Sequence, residues 1–311
     1  MRIKSFITFF LAFFFSYVIG QIETVFTLKT ETGNLEGSLL IPETKERIPI
    51  ALIIAGSGPT DRNGNNPMMT NNSLKMLASG LTENGIATLR YDKRGVGKSI
   101  SAWTKEFDLR FETYINDVKH WIDLLKKDKR FSEIIVIGHS EGSLIGIIAS
   151  QQTEVAKFVS IAGIGESAGN LIRNQLKDQP KFILDQSLPI IDKLEKGDTV
   201  NKVPPFLFSL FRPSVQPYII SWFKYDPQKE IAKLEIPILI IQGTTDIQVK
   251  VEDAEALAKS KPNAEKYILN GMNHILKEVE LDKTKNIATY NNPELPLKDG
   301  LIEILVNFIK K

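Results

Sequence analysis

Ile134-Ile135-Val136-Ile137-Gly138-His139-Ser140-Glu141-Gly142-Ser143-Leu144-Ile145-Gly146 decides how this chain is read. Four β-branched apolar residues in a row predict a short strand buried on both faces. Residues 141–146 lead out of the turn as a helix, and helical spacing runs over Leu144–Gln151. Strand, sharp turn and helix would present the Ser140 hydroxyl at a helix N-terminus, where the dipole favours developing negative charge. Gly138 and Gly142 leave room for the strand and helix to approach closely. The pattern Gly-x-Ser-x-Gly alone is weak, since about one chain in ten of this size carries it by chance. Its flanks make it specific. A Gly-rich turn with no chemistry is the competing reading.

Apolar runs of the same kind recur at Pro49–Ala55, Ile86–Tyr91, Lys157–Ala162, Pro237–Gln242 and Lys266–Leu269. Helix-period stretches lie between and after them, at Ser73–Glu83, Phe111–Lys127, Glu252–Lys259 and Leu301–Ile309. Strands alternating with helices predict an α/β fold with a mostly parallel central sheet covered on both faces. Residues 22–30 and 33–41 alternate apolar and polar about Gly33-Asn34, which predicts an N-terminal antiparallel hairpin. The alternation breaks across 165–229, a segment rich in Leu, Ile, Phe and Pro with no buried-strand run. A helical cap inserted after the sixth strand is expected there, with a core of 21–164 and 230–311. Ligands of α/β folds bind at strand C-termini, so the insertion reads as a lid; a purely stabilising excursion is the alternative.

A serine hydroxyl is a poor nucleophile without a base. The chain has three histidines. His139 adjoins Ser140, but its side chain must point away from that of Ser140, so it reads as structural. His120 lies within a helix-period stretch and reads as a surface or packing residue. His274 follows a predicted strand through Asn270-Gly271-Met272-Asn273 and is the candidate base. A carboxylate must hold the imidazole tautomer, and Asp246 in Gly243-Thr244-Thr245-Asp246-Ile247-Gln248-Val249 follows another strand end. Asp253 is the nearest rival, though it falls inside the next helix. The order Ser140, Asp246, His274 suits a strand-turn-helix nucleophile of this kind. The backbone N–H groups of Ser57 and Glu141 are the candidate oxyanion donors. Asp61 and Arg62 beside Ser57 read equally as substrate ligands or as partners of their neighbours. Arg94-Gly95-x-Gly97-x-Ser99 lacks the spacing of a phosphate loop and reads as turn-shaping.

The first twenty residues differ from the rest. Arg2 and Lys4 precede an apolar, Phe-rich run to Ile19, and Val18 and Gly20 suit a signal-peptidase site before Gln21. An export signal over 1–20 is expected, with a periplasmic or secreted mature protein; the apolar run is short for a membrane span. The sequence contains no cysteine, which excludes thiol nucleophiles, Cys-ligated metals and a lipoprotein anchor. Full-chain net charge is +2, and two of the 39 basic residues lie in 1–20 with none of the 37 acids. With no basic stripe, nucleic acid is not an expected partner.

Four stretches carry a resemblance: 55–65, Tyr91-Asp92-Lys93-Arg94-Gly95-Val96-Gly97-Lys98-Ser99, Gly138–Gly142 and Asn270–His274. With the late run Tyr290–Leu297, they make the chain similar to the α/β-hydrolase superfamily, and within it to bacterial serine esterases and serine aminopeptidase-like proteins. The resemblance implies carboxylic ester hydrolysis through an acyl-serine intermediate on a Ser140-His274-Asp246 triad. It implies no metal and no cofactor. A small-molecule ester with an apolar group is the expected substrate, since 165–229 holds Phe206, Phe208, Phe211, Trp222 and Phe223. An aminopeptidase or amidase with an acidic subsite (Glu141, Glu195, Asp198) and a non-catalytic binding protein are the alternatives.

Overall fold

The computed structural model describes residues 21–102, 105–177 and 179–311; the expected export signal lies outside them. In chain order the elements are β1 (Gln21–Thr30), β2 (Gly33–Pro42), β3 (Ile48–Ile54), α1 (Ser73–Glu83), β4 (Ala87–Tyr91), α2 (Phe111–Lys126), β5 (Phe131–His139), α3 (Glu141–Gln151) and β6 (Lys157–Ile161). Then follow α4 (Ala168–Leu176), α5 (Lys181–Glu195), α6 (Phe208–Phe211), α7 (Gln216–Trp222) and α8 (Pro227–Ala232) with no strand among them. The chain closes with β7 (Ile238–Gly243), α9 (Val251–Ser260), β8 (Glu265–Leu269), α10 (Lys283–Thr289) and α11 (Leu301–Lys310).

The strands form one sheet in the order β1-β2-β4-β3-β5-β6-β7-β8. β2 runs antiparallel to both its neighbours, and every other pairing is parallel. Because successive side chains leave a strand on opposite faces, β3 feeds two cores at once. Ile50, Leu52 and Ile54 face the core built with α2 and α3, while Ala51 and Ile53 face α1 and α11. This double burial is why the inner strands read as unbroken apolar runs.

Two expectations are corrected in detail. The hairpin turns at Glu31-Thr32, and Gly33 already opens β2 rather than forming the turn. β8 is an edge strand of half-buried and exposed residues, so Lys266–Leu269 is not buried on both faces.

The connections place the site. From β3 the chain moves to β4 on one side, then returns past β3 to β5 on the other. The direction reverses there, and a crevice opens beyond the C-termini of β3 and β5. The loops after those two strands carry Ser57 and Ser140.

Candidate active site

Ser140 follows β5 directly and precedes α3. Its backbone is forced to φ 56°, ψ −124°, a conformation L-residues seldom adopt and which costs of order 1–3 kcal/mol. Tight crossing of strand and helix explains the strain's persistence. A Cβ on Gly138 would lie 2.5 Å from Ser143 Cα, and one on Gly142 would lie 2.5 Å from Ile54 O. The Ser140 N–H is tied to Ile161 O at 3.0 Å, so the turn is fixed from the neighbouring strand as well.

Asp246 and His274 meet as expected from their order. His274 Nδ1 lies 2.8 Å from Asp246 Oδ2, and the two side chains are 7% and 1% exposed. Asp246 Oδ1 accepts the N–H groups of Gln248 (2.7 Å) and Val249 (3.0 Å), and Oδ2 also accepts Gln242 Nε2 at 3.1 Å. Burial pushes this carboxyl up, but His274 and the two backbone donors outweigh it and hold the group below the usual carboxylate range. An ionised Asp246 accepts a hydrogen bond from Nδ1–H, which leaves the lone pair of Nε2 free on the other side of the ring.

The His274 loop is braced from several sides. Asn273 Oδ1 accepts the Lys277 N–H at 3.0 Å, and Asn273 Nδ2 donates to Thr289 Oγ1 at 2.8 Å. Asn286, also on α10, donates to Thr245 O at 2.6 Å, so one helix fastens both the aspartate and histidine loops. His139 Nε2 donates to the His274 carbonyl at 2.8 Å, and the two rings lie 4.8 Å apart. Burial, with His274 beside it, lowers the His139 pKa to about 4, so this ring is a neutral brace.

His139 thus supports His274 through its backbone, a role its sequence position did not disclose. Gln242, Asn286 and Thr289 were also missed. A polar residue closing an apolar strand run is the one local signal Gln242 offered. Asp253 goes elsewhere: its carboxylate accepts the N–H groups of Gly165 (2.9 Å) and Lys250 (2.9 Å). Asp61 and Arg62 are structural. Asp61 Oδ1 accepts from Asn63 and Asn65, and buried Arg62 pairs with Asp92 at 2.7 Å. Asp92 also accepts the Lys98 N–H, so the Arg94–Ser99 stretch is a shaped turn.

A cavity of about 640 Å³ opens over Ser140. Ser57, Ser140 and Glu141 line its floor, and Leu171, Ile172, Tyr218, Ile219 and Trp222 from the β6–β7 helices contribute walls. Among the described residues Ser140 Oγ is bonded to no side chain. Glu141 opens α3, so its N–H has no acceptor within the helix. No backbone acceptor takes the Ser57 N–H among the described residues. Beneath this floor Glu141 Oε1 accepts the Tyr218 hydroxyl at 2.7 Å, and buried Lys93 donates to the Gly56 carbonyl. Burial lowers the Lys93 ammonium pKa and raises that of the Glu141 carboxyl, each partly offset by the other's charge.

The fold is that of the α/β hydrolases, and the chain is similar to esterase-like proteins built on it. The family model for serine aminopeptidases of the S33 group matches residues 70–188. The chain is 27% identical over 251 residues to esterase EstD of Thermotoga maritima, an alignment covering 78% of this chain and 58% of EstD. Among solved structures it is similar to Est1E from Butyrivibrio proteoclasticus, with TM-score 0.59, 17% identity and coverage of 92% of this chain and 99% of that one. It is also similar to the α/β hydrolase GrgF from Penicillium sp. sh18, with TM-score 0.61, 19% identity and coverage of 93% and 98%.

Proposed function

We propose that the protein is a serine esterase that works through an acyl-Ser140 intermediate. The observation that carries this reading is the buried His274–Asp246 pair at 2.8 Å, on loops at the same sheet edge as the strained Ser140 turn. His274 Nε2 takes the Ser140 proton as Oγ adds to the ester carbonyl carbon. The oxygen, now negative, is met by the N–H groups of Ser57 and Glu141. Collapse breaks the bond to the leaving alcohol, which receives the proton from His274. Water then repeats the sequence: His274 removes its proton, the acyl–Oγ bond breaks, and Ser140 regains a hydrogen. Apo structures often leave the serine–histidine bond unformed until substrate binds.

The helices between β6 and β7 act in this reading as a cap that supplies the apolar wall for the acyl or aryl group. The aminopeptidase alternative needs a free carboxylate to receive an amine. Glu141 already accepts Tyr218 and faces Lys93, and Glu195 pairs with Arg173 at 2.6 Å, which favours the ester.

The test is labelling of the full chain by a fluorophosphonate, together with hydrolysis of p-nitrophenyl butyrate. Wild type should do both, and Ser140→Ala should do neither, with kcat lowered by about 10⁴-fold or more. A folded wild type that stays unlabelled would sink the proposal. Turnover of an aminoacyl p-nitroanilide near the ester rate would move it to the peptidase reading.

A further inference from the structure

Lys93 is 1% exposed, lies outside the His274–Asp246 pair, and has no part in the proton transfers described above. Its ammonium donates to the Gly56 carbonyl and lies 5.5 Å from the centroid of the Tyr114 ring. That carbonyl and the Ser57 N–H belong to one peptide unit. Among the described residues no peptide bond is cis, so the two groups point to opposite sides of the peptide. A donor that pins the oxygen therefore pins the direction of the N–H. The unit abuts the nucleophile: a Cβ on Gly56 would lie 3.0 Å from Ser140 Cβ. The charge of Lys93 also acts on the buried carboxylate of Glu141, whose backbone is the other candidate donor and whose side chain accepts the Tyr218 hydroxyl at 2.7 Å. One buried charge thus acts on residues that carry both candidate donors.

We infer that Lys93 is a positioning residue for the oxyanion hole, fixing and polarising the Gly56–Ser57 peptide so that its N–H meets the negative oxygen of the tetrahedral intermediate. This rests on the esterase reading. Hydrogen bonds in series polarise one another, so an ammonium on the carbonyl strengthens the N–H on the far side as a donor. A neutral ester carbonyl gains little from that, whereas the oxyanion gains much. The effect belongs to the transition state, and hence to kcat more than to KM.

The experiment compares wild type, Lys93→Met and the double variant Lys93→Met/Glu141→Gln, each as the full chain. The double variant removes both buried charges together, so Glu141 is not left without its cation. Two readouts are taken: p-nitrophenyl butyrate kinetics, and affinity for an alkylboronic acid. Boron accepts the Ser140 Oγ lone pair, the serine proton passes to His274, and the adduct is a tetrahedral anion like the intermediate. Both variants should lose about 100-fold in kcat with KM within about threefold of wild type. Boronate affinity should fall with kcat by a similar factor. The inference is overturned if a folded variant keeps kcat within about threefold, or loses kcat while binding boronate as wild type does. A wild type that neither cleaves the ester nor takes the fluorophosphonate on Ser140 fails the esterase reading instead, so the two failures are distinct.

Discussion

His139 shows how much the role of one side chain depends on what it faces. It is next to Ser140 in sequence, yet its ring is turned to the His274 carbonyl and held neutral there. Its ordinary pKa is 6.5 and its folded value about 4, so the unfolded chain binds the proton first as pH falls. Stability from this residue is whole above pH 6.5 and is lost as pH drops toward 4, by about 3 kcal/mol in all. Thermal melts of wild type should show Tm falling across that window. His139→Gln should melt lower at pH 7 but with a shallower decline; an unchanged slope would show that another group sets the acid sensitivity. Asp246 shifts stability in the same direction, in a more acid window. Its carboxyl is held low, so its contribution is present above the ordinary carboxylate range and is lost only at more acid pH.

The strand-turn-helix unit of β5, Ser140 and α3 is where local strain and close packing meet. Gly138 sits where any Cβ would press on Ser143 Cα at 2.5 Å, inside a crossing that α3 cannot leave without moving its buried residues. Gly138→Ala should cost about 3 kcal/mol and lower Tm by roughly 6–12 °C, with loss of fluorophosphonate labelling as the Ser140 turn shifts. Gly197 offers the comparison. It has φ +87° but nothing within 4 Å of an added Cβ, so Gly197→Ala should cost only about 1 kcal/mol, from backbone conformation alone. Equal melting losses in the two variants would mean that the strand-helix crossing is not close-packed. The strands and helices themselves were largely legible, because apolar runs and helical spacing are local. α1 was read with the bounds it has, and β3, β4, β5, β6 and β7 within a few residues. β8 was misjudged because an edge strand and an inner one can share a short apolar pattern, and only the neighbours decide burial.

Taken as a molecule, the chain builds its cavity from two parts of the sequence that fold around each other. Val96 and Leu109 come from the segments after β4, and Ile172 and Ile219 from the helices between β6 and β7. Glu106, before α2, ties to Arg212 and Ser214 between α6 and α7, which clamps the two walls together. Volume at this seam should set which acyl groups enter. Ile172→Phe should reduce kcat/KM for long-chain p-nitrophenyl esters by about tenfold or more, with acetate changed by less than about threefold. A chain-length series measures this, and a uniform loss across the series would remove the cavity from the acyl site.

The residue pattern along the chain determined the α/β alternation, the strained turn at Ser140 and the candidacy of Asp246 and His274. Each rests on local periodicity, turn chemistry, or the short supply of histidines. What the tertiary structure decided are contacts across long separations: His139 on the His274 carbonyl, 135 residues away, Tyr218 on Glu141, 77 away, and Lys93 on Gly56, 37 away. No local pattern announces such partners. Burial makes an unpaired polar group costly, so each must find one, and only the packed fold determines which group stands within reach.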